Sequence, residues 1–357
     1  GEQPPRRRPV TRGPAPEAGA PQDAQGAAPT RPRRRRVLKV LAISAAGLLA
    51  AATGLGWWAY RHLDGNIHRD TATERLLAGQ SGLRPPATGN AENILVMGSD
   101  YRPELGSARS DTVLLIHLSG DGERLQIVSV PRDMMVQIPS CPQAGGGSSR
   151  AQYSQFNWSF DLGGAACTIR TFEDLTGIRV DHHMVLGFEG FSRIVDALGG
   201  VEVDLPQAER DPNVGLDLSA GPHLLHGADA LAYVRAREYV GDGSDTNRMQ
   251  RQQAFLKLVT AKLRSNGTLF NPVRLYPVLD AVTSSITADA GLDSLGRLTD
   301  LVERLRAVPE SRVDYRTVPR RPYAADPDRD VPDEPAASET FRALREDRPY
   351  PADLAKG

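Results

Sequence analysis

Between Val40 and Tyr60 the chain runs for 21 residues without a charged side chain, shortly after the basic cluster Arg33, Arg34, Arg35 and Arg36. As a helix rising 1.5 Å per residue this stretch is about 31 Å long, enough for the ~30 Å hydrocarbon core of a bilayer. Lys39 sits where its ammonium group can snorkel to the headgroups, and Trp57, Trp58 and Tyr60 sit where an interfacial aromatic belt forms. The positive-inside rule then holds the arginine-rich end in the cytoplasm and sends everything after Tyr60 outside. Ala50, Ala51 and Ala52 would also suit a cleaved signal peptide. The apolar stretch exceeds the ~7 to 15 residues of a signal core and continues into aromatics, which favours a retained anchor over residues 37–60.

This partition organises the rest of the 357 residues. Residues 1–36 hold nine arginines against three acidic residues, and their proline, alanine and glycine offer little to bury; they read as a disordered basic tail on the cytoplasmic side. The net charge of −1 hides that asymmetry. Residues 61–90 are polar and end near Pro85 and Pro86, so they read as a juxtamembrane stalk with some helix around Thr73–Leu77. Residues 91–350 then suffice for one extracytoplasmic core domain. Cys141 and Cys167, 26 positions apart, both lie in it. In an oxidising compartment a disulfide between them would stabilise the fold by roughly 3 kcal/mol, the alternative being two buried thiols.

Within that domain, Asn93–Met97 is a continuous apolar run stopped by Gly98, the pattern of a strand buried on both faces. Thr112–Leu118 and Leu125–Val130 repeat it and are joined by the turn Ser119–Gly122, which predicts a hairpin beside a central strand. Helical spacing over Ala165–Leu175 stops at Gly177, a strand follows around Val180–Val185, a helix over Phe188–Leu198, and a strand over Val201–Leu205. Beyond Gly227 a short helix runs into Tyr233–Arg237, read as a strand, and Asp245–Arg264 is a long helix. Helices over Pro272–Ile286 and Leu292–Ala307, a strand over Arg312–Val318, a surface loop over Pro319–Ala337 and a helix over Ser338–Arg345 complete the chain. Interleaving of this kind implies a layered α/β sandwich.

Several chemistries are excluded. There is no Gly-x-Ser-x-Gly, no His-Glu-x-x-His and no phosphate-binding Gly-rich loop ending in Lys-Ser or Lys-Thr. His182 and His183 are adjacent, so in a strand they point to opposite faces, unlike a metal pair. The basic tail lacks a folded nucleic-acid reader, and the domain faces outward, so no nucleic-acid partner is expected. What remains is a density of arginine and aspartate at strand ends. Ser99-Asp100 leaves the first strand, Arg109-Ser110-Asp111 enters the second and Pro131-Arg132-Asp133 leaves the third, which brings them to one rim of the sheet. Arg235 and Arg237 share a face at strand period, and Asp245, Arg248 and Gln252 form one helical stripe. Each alone reads as a solvated charge. Together, guanidinium forks and carboxylates suit a pyrophosphate held with a divalent cation, Mg²⁺ or Mn²⁺.

Six segments in order carry a resemblance: Asn93–Asp100, Arg109–Thr112, Ser129–Asp133, Val195–Val201, Val234–Arg237 and Asp245–Gln253. Over about Ala91–Ala261 the chain resembles the LytR-CpsA-Psr family. The resemblance implies a three-layer α/β/α sandwich with a central mixed β-sheet, preceded by the single transmembrane helix, and a long apolar pocket for a polyprenyl tail. It implies a phosphotransferase moving a phospho-glycan of teichoic acid, arabinogalactan or capsule type from a polyprenyl-pyrophosphate donor to a peptidoglycan hydroxyl, at the cytoplasmic membrane. By the same resemblance Asp100 and Asp111 match Mg²⁺ ligands, and Arg109, Arg132, Arg235, Arg237, Arg248 and Gln252 match pyrophosphate-binding groups. Asp245 matches a carboxylate sometimes cast as a base and joins Arg109 and Arg132 as a catalytic candidate; Asp133 is a weaker one. Trp158 departs from the small residue that the family has after the position of Asn157, and the glycine-rich insertion before it marks a subgroup. Two rival readings stand beside it: a hydrolase using the same metal and arginines with water as acceptor, and a non-catalytic wall-binding or regulatory protein.

Overall fold

The computed structural model describes residues 31–99, 110–143, 145–236, 239–241, 245–265, 267 and 271–351. The chain forms two units, one ending at Gly56 and one starting at Trp57. The first contains most of helix α1 (Arg31–Asn66), whose segment Arg36–Asn66 reaches a mean hydropathy of 1.8 and is long and apolar enough to cross a membrane. Its apolar side chains, Leu48 and Leu49 among them, are exposed.

The second unit opens with β1 (His68–Arg69), α2 (Thr71–Ala78), β2 (Glu92–Ser99), β3 (Ser110–Leu118), β4 (Leu125–Val130), the hairpin β5 (Met135–Ile138) and β6 (Gln152–Gln155), and α3 (Trp158–Thr176). Next come β7 (His182–Gly187), α4 (Phe188–Ala197), β8 (Val201–Leu205), β9 (Glu209–Asp211), β10 (Leu216–Leu218), β11 (Gly221–Leu225), α5 (Gly227–Arg235) and α6 (Asp245–Ser265). The chain then forms α7 (Pro272–Thr283), β12 (Ile286–Ala288), α8 (Leu295–Ala307), β13 (Val313–Thr317), the hairpin β14 (Arg320–Tyr323) and β15 (Asp326–Pro332), and α9 (Ala336–Arg345).

Seven strands make the central sheet in the order β1-β12-β7-β2-β3-β4-β13. It is mixed: β2 runs parallel to β7 and β4 to β13, while β3 is antiparallel to both of its neighbours. Strand periodicity sorts the side chains between two helical layers. Leu95, Met97, Val113, Leu115, Val128 and Val130 are fully buried against Ile169 and Phe172 of α3 and Phe341 of α9. On the other face Val96, Ile116, Met184 and Leu186 are only half-buried, beneath Val282 of α7 and Leu298 and Leu305 of α8. The expected three-layer α/β/α sandwich is the observed one.

Three expectations about individual segments are corrected. Residues 61–90 are not a stalk. Leu63, Ile67 and, in α2, Leu77 are each buried, β1 pairs with β12, and Trp58 stacks on Tyr276 of α7 at 6.2 Å. The strand expected over Val201–Leu205 is present, and it pairs with β11 in a two-stranded sheet outside the central one. Tyr233–Arg235 is helical, because Ala230 and Val234 place their buried side chains at i and i+4; the chain turns extended only at Ala236. The segment Pro319–Ala337 contains the hairpin β14–β15, held in part by Arg320 on Asp330 at 3.1 Å across the strands.

Helix α3 also starts earlier than its apolar spacing indicates, running from Trp158 through a break at Gly163 and Gly164. A Cβ at Gly163 would lie 2.8 Å from that of Cys167 and 3.2 Å from that of Cys141, so glycine makes room for the disulfide that joins these two cysteines at a Cα separation of 5.3 Å.

Candidate functional site

Because β2, β4 and β7 run parallel and β3 runs against them, the ends of β2, β4 and β7 and the start of β3 share one rim. Gly98 opposes Thr112 and Ser99 opposes Ser110, which makes Asp111 the extra residue of a β-bulge, a device that re-aims backbone next to functional sites. Ser99 pairs with Gly187, the last residue of β7, and its buried hydroxyl has no partner among the described residues. Val130 opposes Val113, so Pro131, Arg132 and Asp133 leave β4 beside this bulge.

Helices α5 and α6 close over the rim, where Gln252 is one of the side chains that fasten them. Gln252 accepts a hydrogen bond from the Thr112 hydroxyl at 3.4 Å and donates its amide to the Val234 carbonyl at 3.1 Å. It thereby ties α6 to the start of β3 and to the last turn of α5, which carries Arg235. The Arg235 guanidinium lies 5.4 Å from the ring of Phe188, the first residue after β7, in cation–π geometry. One turn before Gln252, Arg248 is buried. Arg251 locks the same junction: it donates to the Ala236 carbonyl at 2.5 Å and to Asn247 at 3.0 Å, and lies 5.6 Å from the Tyr233 ring. Burial pushes the nearby Glu209 carboxyl above its ordinary range, opposed by Arg251 at 3.7 Å.

On the β4 side, buried Asp133 lies between two guanidinium groups, Arg132 at 3.4 Å and Arg329 of β15 at 3.6 Å. The backbone N–H of Asn157 donates to the Arg132 carbonyl at 3.0 Å, and the Asn157 side-chain oxygen is buried with no partner among the described residues.

Of the residues singled out in the sequence, the fold brings Arg132, Arg235, Arg248 and Gln252 to this rim and the helices over it. Asp111 and Asp245 supply backbone at the β3 bulge and at the first residue of α6; their side chains lie outside the described residues. Asp100, Arg109 and Arg237 lie outside the described residues altogether. The structure adds Phe188, Arg251 and Arg329, none of which the sequence reading selected. Arg251 stands next to Gln252, so spacing alone could have raised it; Arg329 lies in the segment read as loop and left no signal.

His182 and His183 belong to the opposite rim, where β7 starts. Asp289 accepts the His183 backbone N–H at 2.6 Å and lies 3.0 Å from the His182 ring, and His183 reaches Asp70 at 3.2 Å. Among the described residues, a cleft of about 280 Å³ lies beside these histidines and another of about 410 Å³ between β4 and β13, and neither of these is lined by the arginine cluster.

Similarity to known proteins is specific. The model of the LytR_cpsA_psr family matches residues 63–344. The chain belongs to the LytR_cpsA_psr family. Among its relatives, the cell wall biosynthesis protein LcpA of Corynebacterium glutamicum is 32% identical over 76% of this chain, which spans 58% of LcpA's own length. A polyisoprenyl-teichoic acid–peptidoglycan teichoic acid transferase, TagU of Halalkalibacterium halodurans, is 28% identical over 74% of this chain and 83% of its own. A solved structure, a LytR-Csp2A-Psr enzyme from Actinomyces oris, superposes with a TM-score of 0.57 at 25% identity, covering 73% of this chain and 93% of that one. The match to the family model begins at residue 63, inside the stretch expected to be a stalk, in agreement with the burial of Leu63 and Ile67.

Proposed function

We propose that this chain is a phosphotransferase that moves a phospho-glycan from a polyprenyl-pyrophosphate donor to a peptidoglycan hydroxyl, leaving a phosphodiester link between glycan and wall. The observation that carries the proposal is the Gln252 bridge, which fastens the α5 end bearing Arg235 and the α6 turn bearing Arg248 to the β3 bulge, across the rim from Arg132. Phosphoryl transfer requires mainly positioning and charge neutralisation, and a set of guanidinium forks supplies both. Membership of the family and the name of the relative TagU, a teichoic acid transferase, support the same reaction class.

Asp100 and Asp111 would hold Mg²⁺ or Mn²⁺. The fit rests on an all-oxygen donor set, to which the orphaned buried hydroxyl of Ser99 at the same rim adds a third oxygen. When bound, the cation neutralises charge on the two phosphates. The chain's own residues do the rest: Arg132, Arg235 and Arg248 orient the pyrophosphate and take up the charge of the departing polyprenyl phosphate, with Arg109 and Arg237 as further donors and Asp245 beside the attacking hydroxyl. The half-buried apolar strip Val96, Ile116, Met184 and Leu186 under α7 and α8 is the part of the fold suited to a lipid tail. The anchor would be single-pass with a cytoplasmic N-terminus, an orientation supported by its flanking arginines and by a disulfide in the domain beyond it.

The test is transfer by the purified full chain from a donor labelled in its glycan, with peptidoglycan as acceptor. Label should enter the wall polymer as a phosphodiester, and Arg235→Ala should abolish this while the melting temperature holds. Release of free phosphorylated glycan whether or not wall is added would identify a hydrolase instead. Normal transfer by a folded Arg235→Ala protein would refute the site.

A further inference from the structure

At the rim opposite the arginine cluster, where β3 ends and β4 and β13 begin, an open cleft of about 410 Å³ lies between the β3–β4 turn, the start of β13 and the chain after α9. Two of its lining side chains are buried with a polar atom that has no partner among the described residues. One is the amide nitrogen of Gln126, 1% exposed; the other is the hydroxyl of Tyr350, 8% exposed. The orientation of Gln126 is fixed, because its oxygen accepts from Arg124 Nε at 3.2 Å, which leaves the NH₂ end unmatched. Tyr350 is held by Arg316, whose guanidinium carbon lies 4.4 Å from the ring centroid. Burial pushes the phenol far above its ordinary range, so the hydroxyl stays a donor.

The charged groups around the cleft are matched within the protein. Arg124 donates to Asp347 at 2.7 Å, Arg316 lies on Asp314 at 3.2 Å, Arg312 pairs with Glu123, and Asp121 accepts from Ser119. Asp347 also accepts the Gly120 N–H at 2.9 Å and contacts the buried His117 at 3.1 Å, so the wall of the cleft is braced from three sides. These groups form a rigid frame with two donors left over.

We infer that this cleft is a second binding site, taking a neutral polyhydroxylated ligand: a sugar unit of a glycan. An orphaned buried donor costs about 1–3 kcal/mol, so the Gln126 amide and the Tyr350 hydroxyl both call for acceptor oxygens. Carboxylates of Asp121, Glu123 and Asp314 repel an anion, and guanidinium groups of Arg124 and Arg312 repel a cation. Hydroxyl groups donate to the former and accept from the latter, and an acetamido carbonyl accepts from the orphaned pair. The volume falls within the roughly 300–1,000 Å³ of small-ligand sites and far exceeds the ~30 Å³ of one water.

The experiment is calorimetric titration of the full chain in detergent with the trimer of N-acetylglucosamine, and in parallel with peptide-free glycan strands, alongside Tyr350→Phe, Gln126→Leu and Arg235→Ala. The expected result is saturable binding of the trimer that each of the first two substitutions weakens about tenfold, the value of one hydrogen bond to a buried donor, and that Arg235→Ala leaves unchanged. The ligand-free melting temperature of Tyr350→Phe should not fall, since the hydroxyl it removes has no structural partner. Tighter binding of glycan strands than of the trimer would assign the site to the wall polymer, and equal binding to any such sugar. Absence of saturable binding, binding indifferent to both Tyr350→Phe and Gln126→Leu, loss of binding in Arg235→Ala, or a lowered melting temperature in Tyr350→Phe would each overturn the inference.

Discussion

Replacing Arg84 by methionine should unfold this domain at a much lower temperature while sparing its chemistry. Arg84 donates to both oxygens of Glu173 at 3.0, 3.0 and 2.6 Å and to the Val180 carbonyl at 2.8 Å. The Glu173 side chain is fully buried and also accepts from the Val180 N–H at 3.0 Å and from Arg170 at 3.4 Å. Methionine keeps the stem of the arginine but strips four bonds and leaves the buried carboxylate with Arg170 as its remaining cationic partner among the described residues. Breaking a buried pair costs about 3–5 kcal/mol, and the residual Arg170 contact puts the expected loss at the lower end, about 3 kcal/mol. For a domain of this size that corresponds to a fall of roughly 6–12 °C in melting temperature. The assay is thermal unfolding of the full chain followed by near-ultraviolet circular dichroism, with transfer measured at a temperature where both proteins are folded. The double variant Arg84→Met with Glu173→Met should recover part of the loss, because it removes the stranded charge. A fall below about 1 kcal/mol, or a double variant worse than the sum of its parts, would refute the view that this pair fastens the segment before β2 to α3.

Four further outcomes are expected. Arg132→Lys, which keeps the charge and loses the fork, should lower transfer at least about tenfold with little change in unfolding temperature, as read by initial rates and a melting curve. Replacing Cys141 and Cys167 together by serine should cost about 3 kcal/mol, the value for a loop of this length, seen as a lower denaturant midpoint that reducing agent reproduces in the natural chain. Gly227→Ala should destabilise by about 1–3 kcal/mol, because its Cβ would lie 2.4 Å from the Ser192 carbonyl oxygen where α5 meets α4, and urea unfolding will report it. Stability should depend on pH through the His182 cluster, measured as the unfolding midpoint across pH. His182 is raised above 6.5 by its hydrogen bond to Asp289, so its contribution is complete below 6.5 and is lost as pH climbs through the folded value. Burial is the largest influence on Asp70 and Asp289 and works to raise both, but the hydrogen bonds from His183 and Thr73 to Asp70, and from His182 and the backbone of His183 and Gly291 to Asp289, together outweigh it and hold both below 3.8. Their contribution is therefore complete above 3.8 and lost as acid titrates them. Asp181, raised by burial, works in the opposite sense and flattens the acid side. His182→Gln should remove the alkaline flank and, by taking the imidazole away from Asp289, weaken the acid flank as well.

The central sheet was legible because β2, β3 and β4 are apolar on both faces and broken by glycine and polar turns, signals that need no tertiary context. The rim was legible for the same reason: once those strands pair, the residues at their ends have nowhere else to go. Arg235 is legible by its type but not by its local structure: strand period aligns it with Arg237, whereas burial of Ala230 and Val234 makes its segment helical. The hairpin β14–β15 was hidden by prolines and acids that mark loops on average, and its pairing rests on contacts such as Arg320 with Asp330 that only the folded chain creates. In residues 61–90 a polar majority masks the apolar positions Leu63, Ile67 and Leu77, and the burial of Ile67 depends on partners more than 200 residues away.

The two-residue strand after α1 bears on how this protein should be produced. His68 and Arg69 cover the outer side of β12 at Thr287 and Ala288, and a chain trimmed to begin near residue 90 would leave those backbone groups bare. An uncapped margin of this sort is a template for a neighbouring molecule, so such a truncated preparation should self-associate. A soluble version beginning near Trp57 keeps the margin closed.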